Sequence, residues 1–311
     1  MKNIICIVGP TASGKTGLAV TLAKALDGEV VSCDSMQLYR RMNIGTAKPT
    51  TEEMQGIPHH MLDVAEPDED YSVSRYVEAA DACVQDILAR RKTVILCGGT
   101  GLYMDSLIAG RSFAPFPSTG QRELLEQYAD EQGIESVYSM LKDADPETAE
   151  RLHLSDRKRI IRAMEVFLET GLPISWHNAQ SRQIPPKYDP VWLGLDFADR
   201  QTLYARIDRR VDQMMADGLE AEVRSLLADG IPAKCTAMQA IGYKELAQAI
   251  RGERTPAQAV EAIKQGSRRY AKRQLTWFRR NADIRWLIRH GTEDISAQAL
   301  QIVQASTDFD I

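Results

Sequence analysis

The sequence predicts an α/β fold: a parallel sheet covered by helices on both faces, with its core interrupted by a helical insertion. Three observations predict it. Strands that are apolar throughout alternate with helical patterns near the start of the chain, as in Ile4-Ile5-Cys6-Ile7-Val8 and Thr93-Val94-Ile95-Leu96-Cys97, and that alternation marks a parallel sheet buried on both sides. Only helical patterns occur from about 121 to 179, and a strand pattern returns after them. The length, 311 residues, corresponds to about two domains.

Residues 2–8 are an apolar, β-branched run and form the first strand. Residues 15–26 carry Leu18, Ala19, Leu22 and Leu26 at helical spacing, and 29–33 form the second strand. Residues 72–91 make an amphipathic helix through Val73, Tyr76, Val77, Ala80, Val84, Ile87 and Leu88, and 93–97 form the third strand. Pro115, Pro117 and Gly120 break regular structure after it, and Pro173, Pro185, Pro186 and Pro190 mark a linker. Residues 191–196 read as a strand rejoining the sheet. Helices are expected at about 200–217, 220–227, 243–250 and 256–279. The expected division is a core of 1–112 with 189–311 and a helical insertion of 113–188.

Composition excludes several classes. Hydrophobic residues make up 44% and charged residues 26%, the balance of a globular protein rather than a disordered one. No stretch reaches the roughly 18 apolar residues that a membrane span needs. The N-terminus reads straight into a strand without a small-residue cleavage site, so no signal peptide is expected. The five cysteines, Cys6, Cys33, Cys83, Cys97 and Cys235, include no Cys-x-x-Cys pair. Neither a zinc site nor a disulfide framework is predicted, and buried thiols in a reducing cytoplasm are expected. The net charge is −5, yet the charge is uneven. Residues 264–289 carry Lys264, Arg268, Arg269, Lys272, Arg273, Arg279, Arg280, Arg285 and Arg289 against Asp283, and Arg157, Lys158, Arg159 and Arg162 form a second cluster. Local basic patches of this kind suit a phosphate-bearing partner whatever the total charge.

The chemistry starts at Gly9-Pro10-Thr11-Ala12-Ser13-Gly14-Lys15-Thr16. This is the G-x-x-x-x-G-K-[ST] phosphate loop, and it stands between a predicted strand and a predicted helix, the context the motif requires. Its glycines let backbone N–H groups turn inward, the helix N-terminus adds a positive dipole end, Lys15 adds a charge, and the Thr16 hydroxyl can ligate Mg²⁺. The core is therefore expected to be P-loop NTPase-like. An ATP or GTP hydrolase usually has an acid ending a nearby strand to hold Mg²⁺. The third strand here ends Cys97-Gly98-Gly99-Thr100, which argues against hydrolysis. Asp34 ends the second strand, where carboxyl ends line the ligand crevice of a parallel sheet. It is either an N-cap for a short following helix or a functional carboxylate, as general base or metal ligand. His59 and His60 lack a third ligand and are expected to be structural or to line a substrate channel.

Eight blocks together resemble the tRNA dimethylallyltransferases over nearly the whole chain. They are the phosphate loop at 9–16, Asp34-Ser35-Met36-Gln37-Leu38-Tyr39, Asn43-Ile44-Gly45-Thr46-Ala47-Lys48-Pro49, His59-His60-Met61-Leu62-Asp63, Gly98-Gly99-Thr100-Gly101-Leu102-Tyr103, the stretch 159–166, Gln239-Ala240-Ile241-Gly242-Tyr243-Lys244-Glu245, and 272–279. Eukaryotic members often add a zinc finger, so the resemblance is to the bacterial form. The resemblance implies a cytoplasmic, monomeric enzyme that moves a dimethylallyl group from dimethylallyl diphosphate to N6 of adenosine 37 in tRNA. It implies a phosphate loop, 9–16, on the diphosphate with Mg²⁺ at Thr16, Asp34 as general base, Thr100 between the substrates and Arg210 on the diphosphate. It also implies tRNA contacts from Asp34, Ser35, Met36, Gln37, Thr100, Arg122, Lys158, Arg159, Ile160, Ile161, Arg162, Gln239, Ala240, Ile241, Gly242, Tyr243 and Lys244. Single-stranded loops are bound by phosphate neutralisation and stacking, so Tyr270, Trp277 and Phe278 among their arginines are candidate stacking residues, with core packing as the alternative.

Two other functions compete. A P-loop small-molecule kinase shares the loop and the acid, but it leaves the basic clusters and the 239–244 block unexplained. A nucleotide-gated RNA-binding switch without catalysis has no need of Asp34.

Overall fold

The computed structural model describes residues 4–111, 119–183, 185–291 and 293–306. The proline break at Pro115 and Pro117 and the expected boundary at 112/113 lie outside them. The chain divides into two compact units, one of Met1–Gly110 with Lys187–Ile311 and one of Arg111–Pro186.

The first unit carries a six-stranded, wholly parallel sheet. Its elements are β1 Ile4–Val8, α1 Lys15–Ala25, β2 Gly28–Ser32, α2 Thr51–Met54, β3 His59–His60, α3 Val73–Ala89, β4 Thr93–Cys97 and α4 Gly101–Ala109. The second unit holds α5 Gln121–Gln132, α6 Ile134–Ala144, α7 Pro146–Arg151, α8 Arg157–Thr170 and α9 Ile174–Gln183. The first unit resumes with β5 Val191–Phe197, α10 Arg200–Ala216, α11 Leu219–Ala228, α12 Tyr243–Ile250, α13 Pro256–Phe278, β6 Arg285–Arg289 and α14 Ser296–Gln304.

Strand order is β3-β2-β4-β1-β5-β6, with Ile5 paired to Ile95 on one side and to Val191 on the other. The central strands are buried along their length because both faces are covered. Ile5, Ile7, Leu18, Leu22, Ile95 and Leu193 belong to the main core, and each fully buried aliphatic side chain contributes about 1.5–3 kcal/mol. Phe197, Leu203, Ile207, Ala271 and Leu275 make a second cluster that packs α10 and α13 on the sheet. The helical unit has its own core of Leu125, Val137, Leu141, Ile160, Ile161 and Met164.

Five elements lie outside the sequence expectation: α2, β3, α4, β6 and α14. β3 has two residues and β6 reads Arg-Trp-Leu-Ile-Arg, with Leu287 buried and Arg285 exposed. Edge strands are short and tolerate charge, so neither carries the apolar run that marks a central strand. Two residues counted in the basic run, Arg285 and Arg289, are therefore strand termini. The helix α4 begins directly at Gly101, after a loop read only as the end of a strand.

Candidate active site

Three loops meet at the carboxyl ends of β1, β4 and β2. Backbone hydrogen bonds pin them: Cys33 N–H to Cys97 O at 2.8 Å, Gly98 N–H to Ile7 O at 3.2 Å, and Thr100 N–H to Cys33 O at 3.1 Å. The close approach explains the glycines. A Cβ on Gly98 would lie 2.2 Å from Cys33 O, and one on Gly101 would lie 2.2 Å from the Trp277 ring.

The phosphate loop curls through left-handed conformations, φ 63° at Ala12 and 91° at Gly14. For Ala12 this is a strained state, and such strain clusters at ligand sites. Lys15 folds back on the loop, its Nζ donating to Pro10 O at 2.7 Å and Gly9 O at 3.1 Å. Burial chiefly, and the charge of Arg210, lower its pKa to about 8 against Cys97 and Asp34, which raise it. Burial likewise lowers the pKa of Arg210, against the pull of Asp34. Two cations thus stand partly desolvated at one place, an arrangement that an anionic ligand relieves. The Ser13 hydroxyl is buried in the same loop with no hydrogen-bond partner among the described residues.

Asp34 caps the turn that follows β2: its Oδ1 accepts Met36 N–H at 2.9 Å and Gln37 N–H at 3.3 Å. Its Oδ2 makes no hydrogen bond among the described residues, and the residue lines the crevice. The cap and the functional carboxylate are therefore compatible, one oxygen for each. Thr100 sits at the N-cap of α4 but makes no cap bond; its Oγ1 accepts Ser35 N–H at 3.1 Å and donates to Ser35 Oγ at 3.3 Å. Tyr270 stands beside them, its hydroxyl pushed up to about 12 by burial and by the charge of Asp34.

The crevice comprises two adjoining cavities that share Thr11, Ala12, Asp34, Thr46, Ala47, Arg210 and Tyr270 in their lining. One, about 530 Å³, contains the phosphate loop from Thr11 to Thr16, with Arg206, Arg209 and Arg210. The other, about 260 Å³, is lined mainly by apolar groups such as Ile207, Val211, Met214 and Ile241. Among the described residues no group of three His, Cys, Asp or Glu side chains forms a metal site. Mg²⁺ needs only one or two protein oxygens when substrate phosphates and water complete its shell, so the Thr16 hydroxyl in the first turn of α1 fits such an ion.

The structure separates the expected contact residues by exposure. Lys158 and Arg159 are exposed in the first turn of α8, without an ion-pair partner among the described residues. Cations there oppose the helix dipole, so stability does not account for them. Ile160 and Ile161 are buried in the helical core. Arg122 and Arg162 both pair with Glu165, at 3.4 and 2.9 Å. Gln37 is committed to its own loop, accepting from Ser32 Oγ and donating to Thr46 O and Ala47 O. Ala240, Ile241 and Gly242 line the apolar cavity with Gln239, while Lys244 is exposed. Tyr243 is fully buried with its hydroxyl on Glu222, so it supports the wall and offers no surface. Phe278 is buried and Trp277 donates to Asp105 at 2.8 Å; of the three aromatics only Tyr270 reaches the crevice. Lys264, Arg268 and Arg279 are absorbed by Asp212, Asp208 and Asp196. Arg269 and Lys272 are exposed and have no ion-pair partner among the described residues.

Sequence reasoning missed Gln274. It is buried, accepts Thr11 N–H at 2.8 Å and donates to Gly99 O at 3.0 Å, so it ties the phosphate loop to the Gly98–Gly99 turn. A lone amide within a helical run carries no signal of such a role. Arg206, donating to Ala12 O at 3.0 Å, and Arg289, donating to Ser13 O at 3.2 Å, brace the same loop.

A family model described as IPP transferase matches residues 37–281. A tRNA dimethylallyltransferase of Thermoanaerobacter sp. is 48% identical over 286 residues, covering 91% of each chain. The solved tRNA isopentenylpyrophosphate transferase of Bacillus halodurans is 39% identical with a TM-score of 0.74, covering 99% of this chain and 97% of its own. A eukaryotic dimethylallyltransferase solved acting on tRNA is 29% identical with a TM-score of 0.84, covering 99% of this chain and 79% of its own. Similarity of this depth over nearly the full length is inheritance of a whole fold, and the chain belongs to the IPP transferase family.

Proposed function

We propose that this protein transfers a dimethylallyl group from dimethylallyl diphosphate to N6 of adenosine 37 in the anticodon loop of tRNA. The observation that carries the reading is the shared wall: a phosphate cavity and an apolar cavity adjoin, and both are lined by one carboxylate, Asp34. A prenyl diphosphate has one charged and one apolar half, and its reactive C1 lies between them.

The diphosphate sits on the N–H groups of the 9–16 loop, with Lys15 and Arg210 taking up the charge that develops on the leaving oxygen. Thr16 would hold Mg²⁺, which would supply further charge neutralisation at the diphosphate. The target base must leave its stack to reach the crevice. The adenine amine attacks C1, the C1–O bond breaks and its electron pair leaves with diphosphate. The N6 proton passes to Asp34 Oδ2, while Oδ1 stays on its two N–H donors and keeps the carboxylate aimed. Thr100, fixed by Ser35, stands where a hydroxyl can bond either substrate. Lys158, Arg159, Lys244, Arg269 and Lys272 are exposed cations available for tRNA phosphates. We place the enzyme in the cytoplasm as a monomer; no helix among the described residues is long and apolar enough to cross a membrane.

The test is incubation with unmodified tRNA and labelled dimethylallyl diphosphate, and in parallel with γ-labelled ATP. Label entering tRNA from the prenyl donor alone supports the reading. Phosphoryl transfer from ATP to a small acceptor supports a kinase and overturns it.

A further inference from the structure

We propose that Glu222 is a positioning residue for the transfer reaction: its carboxylate ties the 43–47 loop to the 239–243 segment and fixes how these two linings of the apolar cavity stand to one another. The proposal rests on the prenyl-transfer reading above and adds a residue that belongs to none of the eight blocks.

Residues 45–47 and 239–242 line the apolar cavity, and Thr46 and Ala47 line the phosphate cavity as well. The two stretches are far apart in sequence, and α11 brings them together. Asn43, Ile44 and Gly45 turn three successive N–H groups toward one point, the kind of concavity that takes an anion. Glu222 fills it: Oε2 accepts Asn43 N–H at 3.0 Å and Ile44 N–H at 2.9 Å, and Oε1 accepts Gly45 N–H at 3.3 Å. The same carboxylate accepts the Tyr243 hydroxyl. Burial first, and then the charge of Glu222, push the pKa of that phenol up, so it remains the donor. Leu219, three residues earlier on the same face of α11, packs on both stretches: it lies 2.9 Å from where a Cβ on Gly45 would stand and 3.5 Å from one on Gly242. Tyr243 is fully buried, and a Cβ on Gly45 would fall 2.4 Å from its ring.

Among the described residues that line the two cavities, neither Glu222 nor Tyr243 appears, so the pair acts on the site from behind it. A second fastening of the loop comes from the Asp34 turn, where Gln37 donates to Thr46 O at 3.2 Å and to Ala47 O at 3.1 Å. The loop is therefore held between the turn that aims the general base and the helix that carries Glu222. A carboxylate meets the demand and an amide does not. The carboxylate offers acceptors alone, two oxygens with about four lone-pair sites, to three N–H groups and a phenol. A glutamine of the same shape offers one oxygen and turns an NH₂ group on further donors. Reacting groups held about 1 Å out of place lose about a hundredfold in rate.

The experiment measures single-turnover transfer with tRNA and dimethylallyl diphosphate saturating, together with the affinity for inorganic diphosphate. It compares the parent with Glu222→Gln, Tyr243→Phe and the double variant, each well below its thermal midpoint. Glu222→Gln should slow transfer by about 10–100-fold. Its diphosphate affinity should stay within about threefold, because the 9–16 loop, Lys15 and Arg210 are untouched. Tyr243→Phe removes one oxygen from a buried ring and should slow transfer by about 5–10-fold. In the double variant the losses should not multiply: with the carboxylate gone the phenol has nothing to tie, so the rate should match that of Glu222→Gln within about twofold. A residue that only stabilises the fold moves the melting temperature and leaves the saturated rate of the folded variant alone; that result overturns the proposal. Multiplied losses in the double variant overturn it too, as does a diphosphate affinity that falls in step with the rate. If Glu222→Gln does not fold, Tyr243→Phe decides, and an undiminished rate there overturns the assignment. A parent that transfers no dimethylallyl group at all refutes the underlying activity instead, which separates the two failures.

Discussion

Replacing Asp34 by Asn removes a proton acceptor and leaves the turn in place. Oδ1 accepts two backbone N–H groups, and an asparagine oxygen accepts the same two, so the 34–37 turn and the Thr100–Ser35 bonds persist. The carboxylate oxygen facing the crevice becomes an amide that cannot take the N6 proton. Loss of a general base slows the chemical step about 10²–10⁴-fold, or roughly 2.7–5.4 kcal/mol at 1.36 kcal/mol per decade. Asp34→Ala is the companion: it loses the same base and also both cap bonds, each about 0.5–1.5 kcal/mol net. Because the residue is half-exposed, the low end applies, and its stability should fall by about 1 kcal/mol while that of Asp34→Asn holds. The assay is single-turnover transfer with tRNA and donor saturating, with both dissociation constants measured separately. A single-turnover rate for Asp34→Asn within about threefold of the parent, less than 1 kcal/mol, refutes the base and leaves Asp34 as a cap. A slow rate that is repaired by raising tRNA concentration refutes it equally.

Lys15→Ala should cost about 2–4 kcal/mol of transition-state stabilisation with tRNA affinity retained, read from transfer kinetics and tRNA titration. Because the Lys15 pKa is lowered to about 8, its ammonium is full below that pH and lost above it. The affinity for diphosphate should therefore fall as pH rises through about 8, and bound diphosphate should raise the pKa; the pH dependence in this range should vanish in the variant. The same depression means that the folded state binds fewer protons than the unfolded chain between about 8 and 10.5, so this group makes stability rise with pH across that window. The paired variant Lys158→Ala/Arg159→Ala should weaken tRNA binding and flatten the plot of log affinity against log salt by about 1.4–1.8, two phosphate contacts' worth. An unchanged slope in that titration would mean that α8 does not meet RNA phosphates. Gln274→Leu leaves the buried Thr11 N–H and Gly99 O without partners, and should lower stability by about 2–4 kcal/mol and weaken donor binding. Denaturant titration and donor affinity are the readouts, and a variant equal to the parent in both would show that the phosphate loop holds its shape without the clamp.

The sequence by itself determined the features that are written in neighbouring residues. Glycines at 9 and 14 and a lysine before Thr16 specify a phosphate loop because the required backbone turns and the helix start are local. Apolar runs specify β1, β2, β4 and β5 because central parallel strands are buried on both faces. Resemblance singled out Asp34, Thr100 and Arg210, and each lines or adjoins the crevice. The tertiary structure alone decided what depends on distant pairings. Gln274 reaches Thr11 across 263 positions of sequence, and Glu222 gathers a loop 177–179 residues before it; nothing local distinguishes either from an ordinary helical polar residue. The same holds for exposure. Ile160 and Ile161 share a segment with Lys158 and Arg159, but the turn of α8 sends the isoleucines into the core and the cations to solvent. The paired charges of α13 likewise divide between helix-packing ion pairs and exposed cations only once α10 lies against it. Edge strands β3 and β6 pair on one side, so burial imposes no apolar run on them, and they emerged only with the sheet.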